Sequence, residues 1–280
     1  MSHSERYLLA GVMGYPVMHS RSPMLHNYWF KTHGLAGHYA PLEISPEGLE
    51  RALRALPALK FSGCNLTIPH KEAAFRIVDE VDDTAHKIGA ISCVVVRPDG
   101  SLFGSNYDWY GFAESLLEAC PDWRADAGPA VVVGAGGAAR AVAYALVARG
   151  AKDIRLVNRT RARAQTLAEA IGGPIQVLDW NERHAALSGA ALVVNTTSQG
   201  MVGNPPLDLA LDALPKAAIV YDVIYIPGET PLLSAARARG HRVVNGLGML
   251  LHQARPAWRA WFDVETQVMP ELRAMIEATI

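Results

Sequence analysis

Lys71 closes the stretch NLTIPHK, residues 65–71, behind Asn65, Thr67 and Pro69. A solvated surface lysine needs no such company, whereas one that takes or gives a proton does. Earlier in the chain, GYPVMHSRSP sets Ser20 and Ser22 at the entry to a helix. Two hydroxyls beside free backbone N–H groups and a positive dipole end make a small carboxylate site. Simple capping is the competing reading, and for Ser22 alone it is the better one. A third constellation is VVVGAGGAAR, which fits G-x-G-x-x-A with Gly134, Gly136 and Ala139. It follows a buried-type strand and opens a helix, so its backbone, including Gly137 and Ala138, can receive a pyrophosphate at the helix N-terminus.

The next strand decides between dinucleotides. An NAD site ends this strand in Asp or Glu for the ribose 2′-hydroxyl. Here it ends in Asn158, Arg159 and Thr160, with Arg161 and Arg163 close behind and no acid. Guanidinium forks match a 2′-phosphate, so NADP is favoured over NAD. At least one of Arg161 and Arg163 is expected to be a solvated helix residue.

These groups must be positioned by alternating strands and helices. YLLAGVMG, HYAPLEI and GCNLTI read as strands. Ser22 is expected as the N-cap of a helix with Pro23 at its first position, and PEGLERALRALPAL and HKEAAFRIVDE as further helices. ISCVVV and SLFGSN flank Pro-Asp-Gly, a hairpin signal. After the helix WYGFAESLLEAC, the polar stretch PDWRADAGP marks a domain edge, and the pattern restarts. AVVV, DIRLVN, ALVVNTT, IVYDVIY and RVVNG are strands separated mostly by helices, which predicts a parallel sheet. From Gly246 onward the chain is mostly helical. The fold class is α/β, with two α/β domains: substrate-binding over 1–107 plus 246–280, and Rossmann-type dinucleotide-binding over 108–245.

Bulk properties narrow the function. The 280 residues are half hydrophobic, and 26 basic against 27 acidic side chains leave a net charge of −1. Nothing in that balance points to a nucleic-acid or membrane-surface partner. The three cysteines, Cys64, Cys93 and Cys120, have no C-x-x-C spacing, which fits a cytoplasmic chain without disulfides. Arg6 before the first apolar run is a weak basic prelude, so that run reads as a strand and not a signal peptide. The apolar stretch 129–148 holds Arg140 and a glycine cluster, and reads as a strand turning into a helix. The ten histidines show no H-E-x-x-H or clustered spacing, so no metal is expected. His19 and His26 are expected to pack or cap, Cys93 to be a core side chain, and Trp258, Trp261 and Phe262 to form a packing face.

The motifs, in this order, resemble the shikimate dehydrogenases, NADP-dependent oxidoreductases of aromatic amino-acid biosynthesis. GYPVMHSRSP, NLTIPHK, GSNYDWYG, GAGGAAR with NRT, NTTSQGM and NGLGMLLHQA carry the resemblance nearly end to end. It implies two domains flanking a cleft and a cyclic hydroxy-acid substrate whose ring alcohol is oxidised. It assigns the carboxylate to Ser20 and Ser22 with Tyr225 nearby, and the ring hydroxyls to Asn65, Thr67, Lys71, Asp108 and Gln253. Lys71 and Asp108 become the proton handlers. Desolvation favours a neutral amine and a nearby carboxylate an ammonium, and the sequence leaves both open. Thr196, Ser198, Val223, Gly246 and Met249 fall to the cofactor, with Ser92 placed at the substrate.

Three positions depart from the family pattern. GAISC stands where Gly-Ala-x-Asn-Thr is usual, so Ser92 replaces Asn and Cys93 replaces Thr; Tyr107 replaces the Thr of Asn-Thr-Asp. Serine is shorter and offers one hydroxyl, so that contact is lost or bridged by water. Tyr107 either narrows the pocket or lies outside it. Losing a hydrogen bond to a substrate hydroxyl changes specificity strongly. The alternatives are therefore a quinate or aminoshikimate dehydrogenase using NAD, or a non-catalytic NADP- and ligand-binding homologue. The chain is expected as a monomer or homodimer.

Overall fold

A computed structural model describes residues 7–280; Arg6 lies outside them. The chain divides into two compact units. One runs to Tyr107 and resumes over Leu251–Thr279, and the other comprises Asp108–Leu250 with Ile280.

The first unit begins with β1 (Leu8–Gly14), α1 (Ser22–Thr32) and β2 (Gly37–Glu43). It continues through α2 (Leu49–Ala55), β3 (Gly63–Leu66), α3 (Lys71–Phe75), β4 (Glu80–Val81) and α4 (Asp83–Ile88). The hairpin β5 (Cys93–Val96) and β6 (Leu102–Ser105) follows. The sheet order is β2-β1-β3-β5-β6-β4, with β1 parallel to β2 and β3, and β5 antiparallel to β3 and β6. The helix expected over HKEAAFRIVDE stops at Phe75. Asp79 accepts from Leu102 N–H at 2.8 Å and pairs with Arg54 at 2.7 Å, which draws Glu80–Val81 onto the sheet edge beside β6.

The second unit holds α5 (Asp108–Ala119), β7 (Ala130–Val133), α6 (Gly137–Ala148), β8 (Ile154–Val157), α7 (Arg161–Ile171) and β9 (Ile175–Leu178). Then come β10 (Leu192–Asn195), β11 (Ile219–Asp222), α8 (Pro231–Ala238) and β12 (Arg242–Val244). The helix α9 (Leu247–Phe262) runs unbroken past Leu250 into residues of the first unit, which α10 (Pro270–Glu277) completes. The sheet order is β12-β11-β10-β7-β8-β9, parallel throughout, as strand–helix alternation predicted. Its central strands are buried on both faces. Val132 and Val194 enter one cluster with Ala139 and Val142; Val131, Val133, Val193 and Val220 enter another with Leu232 and Leu233. Continuous valine runs suit a parallel sheet covered on both sides.

Strand order reverses about β7, with β8 and β9 to one side and β10 to β12 to the other. In open parallel sheets ligands bind beyond the carboxyl ends of the strands at such a switch point.

Candidate active site

In the first unit the polar residues sit where β1, β3 and β5 end or begin. Ser22 is not the N-cap of α1; that place is taken by Arg21, and Ser22 is the first helical residue. Ser22 N–H donates instead to Ser20 Oγ at 3.2 Å. Pro23 has no N–H, so the helix start offers fewer backbone donors than expected. What remains is the pair of hydroxyls, with Ser20 Oγ already accepting one bond. The Arg21 guanidinium lies alongside in sequence and is held by Thr279, through Oγ1 at 2.8 Å and the carbonyl at 2.6 Å.

Asn65, at the end of β3, is 4% exposed. Its Oδ1 accepts from the Tyr39 hydroxyl at 2.7 Å and its Nδ2 donates to Ser92 C=O at 3.1 Å. Those bonds fix the amide's orientation and leave one N–H to donate. Tyr39 stacks on the buried His26 ring, centroids 4.0 Å apart, and burial pulls that imidazole's pKa down to about 3. His26 is therefore a neutral packing residue, and Trp29, Trp258 and Trp261 lie around it.

Thr67 closes the turn into α3: its N–H donates to Met13 C=O and its C=O accepts from His70 N–H, both at 2.9 Å. Lys71, half-buried, opens α3, and its carbonyl accepts from Ile91 N–H at 3.0 Å. This laces the lysine turn to the GAISC segment. Ser92 is 1% exposed, and its Oγ accepts from Tyr107 N–H at 2.9 Å. Its hydroxyl proton has no acceptor among the described residues. Asn106 donates from Nδ2 to Ala90 C=O at 2.9 Å, a second clip on the same segment. The Tyr107 phenol bonds the Ser105 side chain close to Cys93, and burial raises it above the usual tyrosine range. Burial likewise raises the Cys93 thiol, which makes it a core side chain and not a nucleophile. Gln253 is buried on α9.

In the second unit Asp108, buried, is the first residue of α5, where the helix dipole favours a carboxylate. The glycine loop joins β7 to α6. Gly134 has φ +117°, and a Cβ there would lie 2.4 Å from Thr196 Oγ1. Thr196 in turn donates to Val133 C=O at 2.7 Å, so its hydroxyl belongs to the loop's own framework. A Cβ at Gly136 would meet no protein atom within 4 Å. Protein packing therefore does not demand glycine there, but a group laid on the loop would. Gly137 and Ala138 form the first turn of α6, where N–H groups lack intrahelical acceptors, and Ala139 is fully buried against the sheet. These residues fit a bound dinucleotide.

Beyond β8, Asn158 Nδ2 donates to Thr160 C=O at 2.9 Å. Arg159 is exposed and has no side-chain partner among the described residues. Arg161 is taken by Asp179 at 2.7 Å on an exposed surface, the solvated role expected of one of the two helix arginines. Arg163 is exposed two residues further on. On the other side of β7, Ser198 is exposed, and Val223 N–H donates to Asn195 C=O at 3.0 Å. Tyr225 is half-buried. Gly246 must be glycine, since a Cβ would lie 1.9 Å from Val223 C=O, and Met249 is buried in the same cluster as Ala139.

Sequence reasoning passed over Asn195, Asp222 and Thr230, three fully buried polar residues in this unit. Their trace in the sequence is a polar residue ending each of two apolar strands, ALVVN and IVYD.

Two family models match the chain: the shikimate dehydrogenase substrate binding domain over residues 12–94, and shikimate / quinate 5-dehydrogenase over residues 120–202. A relative from Paramagnetospirillum magneticum, named shikimate dehydrogenase (NADP(+)), is 54% identical over 268 residues, covering 96% of this chain and 97% of that one. The crystal structure of shikimate 5-dehydrogenase from Thermus thermophilus in complex with NADP(H) and shikimate aligns with TM-score 0.85 at 35% identity, covering 97% of this chain and 99% of that one. Quinate dehydrogenase from Corynebacterium glutamicum in complex with NAD aligns with TM-score 0.89 at 33% identity, again over 97% and 99%.

Proposed function

The chain belongs to the shikimate dehydrogenase family, and from that premise we propose that it interconverts shikimate and its 3-keto counterpart with NADP in the cytoplasm. The observation that carries the substrate class is Asn65. With its carbonyl committed to Tyr39 and one amide proton to Ser92, it keeps a single donor, two positions ahead of Thr67 and six ahead of Lys71. A ring bearing hydroxyl oxygens is what such donors select.

In this reading Ser20 and Ser22 hold the substrate carboxylate through their hydroxyl protons, with Tyr225 beside them. Asn65, Thr67 and Gln253 meet the ring hydroxyls, and Ser92 joins them with its one remaining proton. Bound NADP supplies the hydride acceptor. Lys71 and Asp108 manage the alcohol's proton: one receives it as the C–H bond breaks and the other holds the oxygen in line. Gly134, Gly136, Gly137, Ala138 and Ala139 receive the pyrophosphate. Asn158, Arg159, Thr160 and Arg163 take the 2′-phosphate, with Arg159 the exposed fork best placed by its lack of a protein partner among the described residues. Thr196, Ser198, Val223, Gly246 and Met249 line the other end. Three buried, unpaired thiols suit a reducing compartment, and the unit is a monomer or homodimer.

The test is a reduction screen with purified chain: shikimate and quinate, each with NADP+ and NAD+. The proposal expects the highest kcat/KM for shikimate with NADP+. Higher kcat/KM for quinate with NAD+ would replace it with the quinate reading, and no turnover of either acid would overturn it.

A further inference from the structure

We propose that Asp222 is a positioning residue that holds the loop after β10 and the segment after β11 where they receive the nicotinamide end of the dinucleotide. The inference rests on the dehydrogenase reading above and adds a residue that reading leaves without a role.

Asp222 ends β11 directly opposite Asn195, which ends β10 opposite Val133 of β7. The three residues form a row along the carboxyl edge of the sheet, and Gly134 follows the last of them. A dinucleotide whose 2′-phosphate lies at Arg159, after β8, must extend across β7 toward β10 and β11, because these strands lie on the other side of the switch point. The two segments tied to Asp222 are therefore the ones beneath the cofactor's far end.

The bonding is complete and one-sided. Asp222 Oδ1 accepts from Asn195 Nδ2 and from Ile224 N–H, both at 3.1 Å, and Oδ2 accepts from Thr230 Oγ1 at 2.7 Å. Asn195 passes the constraint on. Its Oδ1 accepts from Thr197 N–H at 3.0 Å and Oγ1 at 2.8 Å, and its Nδ2 donates to Gln199 C=O at 3.1 Å. One carboxylate thus sets the course of residues 195–199 on one strand end and 222–224 on the next, and anchors both to Thr230, the N-cap of α8.

Asn195 Nδ2 and Ile224 N–H can only donate, and an ionised carboxylate accepts both of them and the Thr230 hydroxyl proton together; an amide with its oxygen kept toward Asn195 and Ile224 would turn an N–H onto Thr230 Oγ1 and lose the bond that hydroxyl donates. Burying a carboxylate without a cation is costly, and no lysine or arginine pairs with Asp222 among the described residues. Burial raises its pKa to about 6, opposed by the bonds from Thr230, Ile224 and Asn195, so the group is ionised at neutral pH.

The test uses Thr230→Val, which keeps shape and removes the hydroxyl, with Thr230→Ser as rescue and Asp222→Asn as the second lesion. Two readouts are taken on the full chain: amide hydrogen exchange without cofactor, and the NADP+ dissociation constant by calorimetry. The expected result is roughly tenfold faster exchange at Thr197, Gln199 and Ile224 in Thr230→Val and Asp222→Asn, with Gly136–Ala139 unchanged. NADP+ affinity falls by about fivefold or more in both, and KM for the ring-alcohol substrate stays within about twofold. Thr230→Ser restores exchange and affinity. Loss of the α8 cap alone would speed exchange at Leu233 and leave Thr197 and Gln199 untouched, which overturns the proposal. So does faster exchange in the loops with NADP+ affinity unaltered. Failure of the wild-type chain to bind NADP+ at all refutes the dehydrogenase reading instead, and exchange in the loops still decides whether Asp222 holds them.

Discussion

The two units place polar groups at the ends of buried strands by opposite means. In the second, the groups proposed to meet the ligand are largely backbone: a glycine loop at φ +117°, an open position at Gly136, and the first turn of α6. In the first they are side chains, and each has already committed part of its bonding capacity. Asn65 keeps one amide proton, Ser92 keeps its hydroxyl proton, and Ser20 accepts from Ser22 N–H. A backbone site is specified by where glycine must stand. A side-chain site is specified by which atoms are left over, and that depends on neighbours remote in sequence, such as Tyr39 and Tyr107.

The largest test of this division is Lys71→Ala. Turnover should fall by about 10²–10⁴-fold, the usual worth of a positioned acid–base group, while the NADP+ dissociation constant measured by calorimetry stays within about twofold. Parallel loss of NADP+ affinity would break the division between a side-chain unit and a backbone unit.

Asp222 is the exception inside the backbone unit, and pH exposes it. Its carboxyl titrates near 3.8 when unfolded and about 6 when folded, because burial outweighs its hydrogen bonds. The native state therefore holds the proton more tightly. The stability this confers is fully present below about 3.8 and is lost as pH rises through about 6. Urea unfolding should show the wild-type chain losing a few kcal/mol relative to Asp222→Asn between about pH 4 and pH 7, with a flat difference above. The adjacent Tyr221 does not titrate in this window, since burial raises its phenol and its hydroxyl is held by Ser115. A difference independent of pH would mean that the carboxylate is not dominated by burial.

Gly136→Ala sharpens the comparison from the other side. An added methyl meets no protein atom, so the thermal midpoint should stay within about a degree while NADP+ affinity falls roughly tenfold, about 1.4 kcal/mol. Gly134→Ala should instead cost about 1–3 kcal/mol of stability without any ligand, through its positive φ and the 2.4 Å approach to Thr196 Oγ1. Calorimetry and thermal melts on the same two variants separate the effects.

What could be read from the residues alone follows the same line. The glycine loop, its parallel strands and the arginines after β8 carry local signals: apolar runs, glycine spacing, and the absence of an acid. The sequence puts the cap of α1 at Ser22, one residue past its place at Arg21, because a serine before a proline looks like a cap; the N-cap carries no side-chain capping bond, and Ser22 N–H donates to Ser20 Oγ instead. It does not show β9 behind Gly-Gly-Pro, where four residues leave little periodicity. It makes the helix at Lys71 too long, because the force that ends it is Asp79 bonding Leu102 and Arg54, both distant in sequence. The bonds of Asn65, Ser92 and Asp222 all join distant segments, except Asp222 to Ile224 and Thr230, so no short window of sequence contains them.

Ser92 gives the smallest effect and the finest cut. Its Oγ accepts from Tyr107 N–H, and its remaining proton is the only means by which it can donate to a substrate. If the hydroxyl serves the chain, Ser92→Ala leaves a buried N–H without a partner and lowers stability by about 1 kcal/mol, with KM for shikimate unchanged. If it also serves the substrate, KM rises by several-fold on top of that loss, since a site built to donate to a hydroxyl is weakened when the donor is missing. Thermal melts and steady-state kinetics on the one variant distinguish the two. The first outcome would make Ser92 a backbone clip in the side-chain unit, the mirror image of Asp222. It would also explain how a serine can stand where the family places an asparagine: the position would have exchanged reach toward the ring for a bond to Tyr107, the residue immediately before Asp108.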